Sequence, residues 1–219
     1  MYLAQLKGLD KQEAYKRLRA KFEQFDIMEW WNKPVEELSK GMQQKVQFIT
    51  TILHRPSFLI LDEPFSGFDP INANLLKDEI AQLKRDGATI VLSTHNMASV
   101  EEICDHIALI NRSRKILEGD IYEVKNRFKK KIFSIQVSNF SDDFVHQIQN
   151  QQYTICSQSR NDYYTRFDIK LPDGKSPNEL LQFFTQNCEI HSFNEIMPTM
   201  NEIFIEQVEK ANQQPSHEE

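Results

Sequence analysis

Residues 58–70 read FLILDEPFSGFDP: four apolar residues, two adjacent acids, a proline, and a glycine turn that carries a third acid. The apolar run is continuous rather than alternating, the pattern of a strand covered on both faces of a parallel sheet. Ligands of open α/β sheets bind beyond the carboxyl ends of the strands, and Asp62 and Glu63 stand where this run ends. An aspartate at that point can hold Mg²⁺ through water, while a glutamate one residue on can orient and deprotonate a water that attacks a phosphate. Pro64 then stops the strand. The same residues would also serve an ordinary strand end, so the reading depends on what the rest of the chain brings to them.

The flanking segments alternate in type. NANLLKDEIAQLKRDG (72–87) predicts a helix closed by Gly87, and ATIVLSTH (88–95) predicts a second doubly covered strand with His95 at its end. Upstream, LSKGMQQKVQ (38–47) opens a helix at Ser39, a good N-cap, with Met42, Val46, Ile49 and Leu53 as its apolar stripe. Ser39 and Gly41 present free backbone N–H groups at the helix start, which favours an anion there by about 0.3–1 kcal/mol per charge. A simple capped helix, and a histidine packed by hydrogen bonds, are the plain alternatives for these two features. Earlier still, Ala14, Leu18, Phe22 and Phe25 mark one face of an amphipathic helix over 10–25. Helix and strand alternate, so the sheet is expected to be parallel.

The pattern changes downstream. HIALINRSRKILEGD (106–120) predicts a hairpin turning near 111–114, followed by a short charged helix in IYEVKNRFKKK. From 131 the expected order is strand 132–138, helix 142–150, strands 153–159 and 163–171, helix 178–186 and strand 189–196. That β-α-β-β-α-β order predicts a small ferredoxin-like domain. A last helix is expected over 199–209, with a disordered polar tail at 210–219. The expected domains are therefore 1–130, 131–209 and the tail, in an α/β chain with a small α+β appendage.

Composition narrows the function classes. The 219 residues carry 26 basic and 32 acidic side chains, a formal charge of −6, so nothing draws the chain globally to nucleic acid. Cys104, Cys156 and Cys188 are widely spaced with no C-x-x-C pair, which fits neither a disulfide framework nor a zinc site and points to a reducing compartment. The longest apolar runs fall far short of the roughly 20 residues that span a bilayer, and the start lacks the apolar core of a signal peptide. A cytoplasmic protein, or the cytoplasmic face of a membrane complex, is expected.

LSKGMQQ, FLILDEP, SGFDP and STH together resemble the ATP-binding cassette (ABC) ATPases, whose signature, Walker B, D-loop and switch histidine occur in this order at comparable spacing. The resemblance covers about 2–118. It implies ATP and Mg²⁺ as cofactors, with Asp62 as the Mg²⁺ carboxylate, Glu63 as general base and His95 as the γ-phosphate switch. It further implies that Asp69 lies at a dimer interface, and that Ser39 and Gly41 contact the γ-phosphate bound by a second ATPase subunit. Lys40 and Met42 depart from the commonest signature, where a glycine and a glutamine stand; Lys40 either adds a charge near phosphate or points to solvent. The region after 131, ending EIMPTMNEIFIEQV, resembles the appendage of bacterial export subunits, which implies a membrane permease as partner and a peripheral place at the membrane. Trp30 and Trp31 fall where such subunits approach the permease, although a pair of core and surface tryptophans is the simpler reading.

One part of that machinery is not found in these residues. A phosphate cradle needs G-x-x-x-x-G-K-[ST], and the six glycines at 8, 41, 67, 87, 119 and 174 never complete it. DGKS (173–176) imitates its end, but Ile169 occupies the position of the first glycine, and the stretch reads as a surface turn. The chain is therefore expected to correspond to the C-terminal part of a cassette subunit, lacking the strands that complete the nucleotide core, so that apolar edges at 58–61 and 90–92 are left exposed.

Overall fold

A computed structural model describes residues 1–213, which divide at Ile103/Cys104 into two units. The first contains helices α1 (Tyr2–Leu6), α2 (Lys11–Gln24) and α3 (Lys40–Ile52), strand β1 (Phe58–Asp62), helix α4 (Pro70–Arg85), strand β2 (Thr89–Ser93) and helix α5 (Met97–Ile103). Asp10 caps α2 by accepting from the N–H groups of Gln12 and Glu13 at 2.8 and 2.9 Å. Ala14, Leu18 and Phe22 then turn inward as their spacing predicts. On α3 the buried side is Lys45, Phe48, Ile49 and Ile52; of the expected stripe, Ile49 and Leu53 are buried, whereas Met42 and Val46 are half-buried. Phe48 of this face lies beside Phe25, ring centroids 6.3 Å apart, in a core that also takes in Ile49, Ile52 and Leu53.

Strands β1 and β2 pair in parallel with Phe58 opposite Thr89 and Asp62 opposite Ser93. The continuous apolar runs predict strands covered on both faces, and here the structure differs: burial alternates along β1. Leu59 and Leu61 enter a core shared with Leu76, Ile80 and Leu83 of α4, while Phe58 and Ile60 are 55% and 67% exposed and Val91 is exposed beside them. Helices cover one side of this two-stranded sheet, so alternate residues turn inward, buried on β1 and half-buried on β2. Of the stretches 58–61 and 90–92 expected to be left exposed, Phe58, Ile60 and Val91 are exposed, whereas Leu59 and Leu61 are buried and Ile90 and Leu92 half-buried.

The second unit opens with the hairpin β3 (His106–Asn111) and β4 (Arg114–Asp120), followed by α6 (Ile121–Arg127), β5 (Ile132–Ser138), α7 (Phe144–Asn150), β6 (Thr154–Arg160), β7 (Thr165–Lys170), α8 (Pro177–Asn187), β8 (Glu189–Ile196) and α9 (Met200–Gln213). Its four-stranded sheet has the order β6-β7-β5-β8 with every neighbour antiparallel. This is the split β-α-β arrangement of a ferredoxin-like domain. Its core is aromatic: the Phe144 ring meets Phe184 edge-on at 5.2 Å and stacks on Phe183 at 5.8 Å.

The boundary expected at 130/131 falls between α6 and β5, later than the division at 103/104. Both α6 and α9 pack against β4, which holds the hairpin to the second unit. Helix α9 continues past its expected end near Glu209 to Gln213, helped by a Lys210–Glu206 pair at 2.6 Å one turn apart; the rest of the expected tail lies outside the described residues. DGKS is the turn it was read as: Gly174 sits at φ +88°, and Ser176 and Glu179 form a capping box on α8. Among the described residues no helix is long and apolar enough to cross a membrane.

Candidate functional site

Parallel pairing brings the ends of β1 and β2 side by side, so the acids of one strand meet the hydroxyls of the other. Ser93 Oγ donates to Asp62 Oδ1. Glu63 leaves the strand in a left-handed conformation, φ +43°, and its N–H donates to the Ser93 carbonyl at 2.9 Å. Its carboxylate is held from three directions: by the His95 N–H at 2.8 Å, the Thr94 hydroxyl at 3.1 Å and His95 Nδ1 at 2.6 Å. An ionised carboxylate only accepts, so Nδ1 carries a hydrogen and Nε2 is left uncommitted. Burial alone would raise the Glu63 carboxyl, but the His95 ring and N–H and the Thr94 hydroxyl outweigh it and hold the group below the usual carboxylate range. The His95 side chain is 87% exposed against 36% for Glu63, so the pair lies at the surface. Thr94 Oγ1 also accepts from Asn96 N–H, and Asn96 Oδ1 accepts from Ser99 N–H, which fixes the segment that carries His95.

A second group gathers where α3 and α4 begin. Ser39 caps α3, accepting from Met42 N–H at 3.4 Å, and Lys40 and Gly41 form the first turn, Lys40 exposed. Gln43 Nε2 donates to the carbonyls of Val35 and Leu38, both at 3.0 Å, and so pins the chain entering the helix. The glycine turn of SGFDP rests against this helix: a Cβ on Gly41 would lie 3.9 Å from the Gly67 carbonyl, and one on Gly67, at φ +80°, would lie 3.3 Å from Gln44 Oε1. Two residues on, Asp69 caps α4, accepting from the N–H groups of Ile71 and Asn72 at 3.0 and 3.1 Å and from the Asn72 amide. The Asn72 amide, followed by its backbone N–H, holds the Asp69 carboxyl below its ordinary value. A cleft of about 240 Å³ opens between α3 and this loop, lined among others by Trp30, Lys45 and Asp69.

The structure thus brings Asp62, Glu63 and His95 into one cluster and Ser39, Lys40, Gly41 and Asp69 into another. The 63–69 loop joins them, but among the described residues no hydrogen bond does. Sequence reasoning missed Ser93, Thr94, Asn72 and Lys45. Thr94 and Ser93 could have been found as neighbours of His95, and Asn72 as the third residue after the capping Asp69; Lys45 sits in a polar run that gives no sign of burial.

Among the described residues no three His, Cys, Asp or Glu side chains lie close enough to hold a metal ion. Asp62 with the Ser93 hydroxyl offers the single hard carboxylate through which Mg²⁺ is commonly bound alongside water and phosphate oxygens. The donor chemistry fits Mg²⁺ that arrives with a nucleotide's phosphates, and Asp62 would hold it. A cradle for those phosphates is not supplied by the glycines of this chain.

Residues 119–208 match a family model described as ATP-binding protein DrrA1-3-like, C-terminal domain. Residues 3–101 match one described as "AAA domain, putative AbiEii toxin, Type IV TA system". An uncharacterized ABC transporter ATP-binding protein of Bacillus subtilis, YhaQ, is 38% identical over 208 residues, 95% of this chain and 67% of that protein. Another, from Alkalihalophilus pseudofirmus, is 45% identical over 136 residues, 62% of this chain and 51% of that protein. A solved ATP-binding subunit of an ABC transporter superposes with a TM-score of 0.54 at 30% identity, over 58% of this chain and 55% of that one. The chain therefore spans between about half and two thirds of the length of these relatives.

Proposed function

Because this chain belongs to the family of ABC transporter ATP-binding proteins, we propose that it works in a subunit that couples ATP hydrolysis to export through a separate membrane permease, on the cytoplasmic side of the membrane. The observation that carries this reading is the Glu63 carboxylate at the carboxyl end of a parallel strand, next to Asp62 and gripped by His95. When bound, Mg-ATP supplies the phosphoryl group to be transferred. Asp62 would hold the cation, and Glu63 would take the proton of the attacking water. Both His95 contacts fall on Oε1, so Oε2, which accepts from the Thr94 hydroxyl, keeps a lone pair for that proton, while the same contacts make the acid a weakened base. The His95 ring, held at Nδ1, leaves Nε2 free and would offer it to the γ-phosphate. Ser39, Lys40 and Gly41 at the start of α3 meet a phosphate held by a second ATPase subunit, and Asp69 faces that subunit. The chain alone is expected to be inactive for want of a phosphate cradle.

The test is turnover of a subunit in which these residues are joined to a P-loop segment. Glu63→Gln is expected to keep ATP binding and lose about 10²- to 10⁴-fold in turnover, the usual size of general-base catalysis. Turnover within a few fold of the unsubstituted protein would overturn the assignment. A second reading, a binding module that lends its signature helix or a docking surface to a complete partner, is favoured by the exposed apolar face of Phe58, Ile60 and Val91. It predicts that Glu63→Gln leaves the partner's turnover unchanged.

A further inference from the structure

Lys45 lies on a helix otherwise polar at its start, yet it is only 7% exposed. Burying an ammonium costs several kcal/mol unless its donors are satisfied. Its Nζ donates to Asn72 Oδ1 and stands 5.4 Å over the Trp30 ring, so its nearest partners are an amide and an aromatic face rather than a carboxylate. Asn72 in turn donates from Nδ2 to Asp69 Oδ2. The direction of this relay is set by chemistry: a lysine only donates and an ionised carboxylate only accepts, so the amide between them can stand in one orientation alone. Asp69 Oδ1 is already used by the N–H groups of Ile71 and Asn72. An ordinary helix cap would stop there, whereas here the second oxygen is fixed as well, and by a group anchored on another helix.

We propose that Lys45 is a positioning residue that, through Asn72, fixes the carboxylate of Asp69 and ties the start of α4 to the signature helix α3. The buried ammonium thereby acquires a structural role. Burial pushes its pKa down, while Asp69 and Asp26 pull it back up, and the Trp30 face and the Asn72 carbonyl satisfy it. A shift of α3 against the 67–72 segment must then either carry Asp69 with it or break the relay. The functional meaning rests on the reading of Asp69 as an interface residue, which turnover of the assembled subunit tests; the relay itself is tested within this chain.

The measurement is a pH titration of the Asp69 carboxyl carbon and the Asn72 side-chain amide by NMR on the whole chain. In the unsubstituted protein Asp69 titrates below the ordinary aspartate range of about 3.9, and the Asn72 amide follows the same transition with slowed hydrogen exchange. An Asn72 amide that exchanges like a free surface amide overturns the proposal without any variant. In Lys45→Met, of similar volume, the Asp69 transition is expected to shift upward, and in Lys45→Arg, which keeps a charged donor, to stay depressed. Placed in an Asn72→Ala background, Lys45→Met is expected to give little further shift, because the link is already cut. A shift of undiminished size there would reveal direct charge–charge action and overturn the relay, as would an Asp69 transition unmoved by Lys45→Met.

Discussion

Replacing Glu63 by Gln in the chain as it stands isolates what the ionised carboxylate contributes to the ends of β1 and β2. Glutamine keeps one oxygen for the His95 N–H and Nδ1–H, and the Thr94 hydroxyl can turn to accept from the new amide, so the bonds survive and only their charge assistance is lost. A hydrogen bond to a charged group contributes about 1.5–3 kcal/mol against about 0.5–1.5 for a neutral one. Three bonds would give a loss of several kcal/mol if buried, but the Glu63 side chain is 36% exposed, and solvent reduces such terms to the scale of surface pairs. The expected loss is about 1 kcal/mol at pH 7. Urea unfolding followed by the fluorescence of Trp30 and Trp31 reads it as a midpoint lower by about 0.3–1 M at unchanged slope. The folded carboxyl is held below its unfolded value, so its contribution is complete above the unfolded value of about 4.3 and is lost as pH falls through the lower folded one. The gap between variant and parent should therefore close below about pH 4. An equal gap at both ends of the range, or none at pH 7, would refute a charge held by His95 and Thr94.

Phe184→Ala, at the centre of the Phe144, Phe167 and Phe183 cluster, is expected to destabilise the second unit by about 3–5 kcal/mol, read as a lower unfolding midpoint in near-ultraviolet dichroism; a loss under about 1 kcal/mol would mean the cluster is not a packed core. Glu79, 5% exposed on α4, accepts from Lys21 and from Gln24 Nε2 of α2, and Glu79→Ala should cost about 1–3 kcal/mol, with Glu79→Gln restoring part of it in the same urea assay. The two-residue hairpin turn at Arg112 and Ser113 holds both at positive φ, 46° and 62°; the pair Arg112→Asn with Ser113→Gly suits that turn and should raise the unfolding free energy by up to about 1 kcal/mol, read as a higher urea midpoint, and a fall would contradict the turn.

The elements were legible where local chemistry dictates them. Asp10, Ser39 and Asp69 announce helix starts, the β-α-β-β-α-β order announces the ferredoxin-like sheet, and the acids after FLIL mark the strand end. What a strand's side chains prefer was also legible, but not what covers them. The continuous run reads as a strand covered on both faces, and Phe58 and Ile60 are exposed because their neighbours cover one face alone. Lys45 shows the opposite failure: a lysine among glutamines reads as solvated, and its burial depends on Trp30 and Asn72, 15 and 27 positions away in the chain. Glu63 in a left-handed conformation carries no sequence signal, since glutamate has no preference for it, and the Ser93 carbonyl that accepts its N–H comes from another strand.

The division of labour proposed here assigns magnesium, base and switch to this chain and the grip on the phosphates to residues it does not contain. Without a P-loop, Asp62 and Glu63 repel ATP, and the start of α3 offers about 0.3–1 kcal/mol to an anion, against the roughly 4 kcal/mol that millimolar binding requires. Calorimetric titration of Mg-ATP into the purified chain is the most direct measurement. No saturable binding is expected below about 1 mM. Micromolar affinity, with no partner present, would contradict the proposal and place a phosphate site elsewhere in the chain.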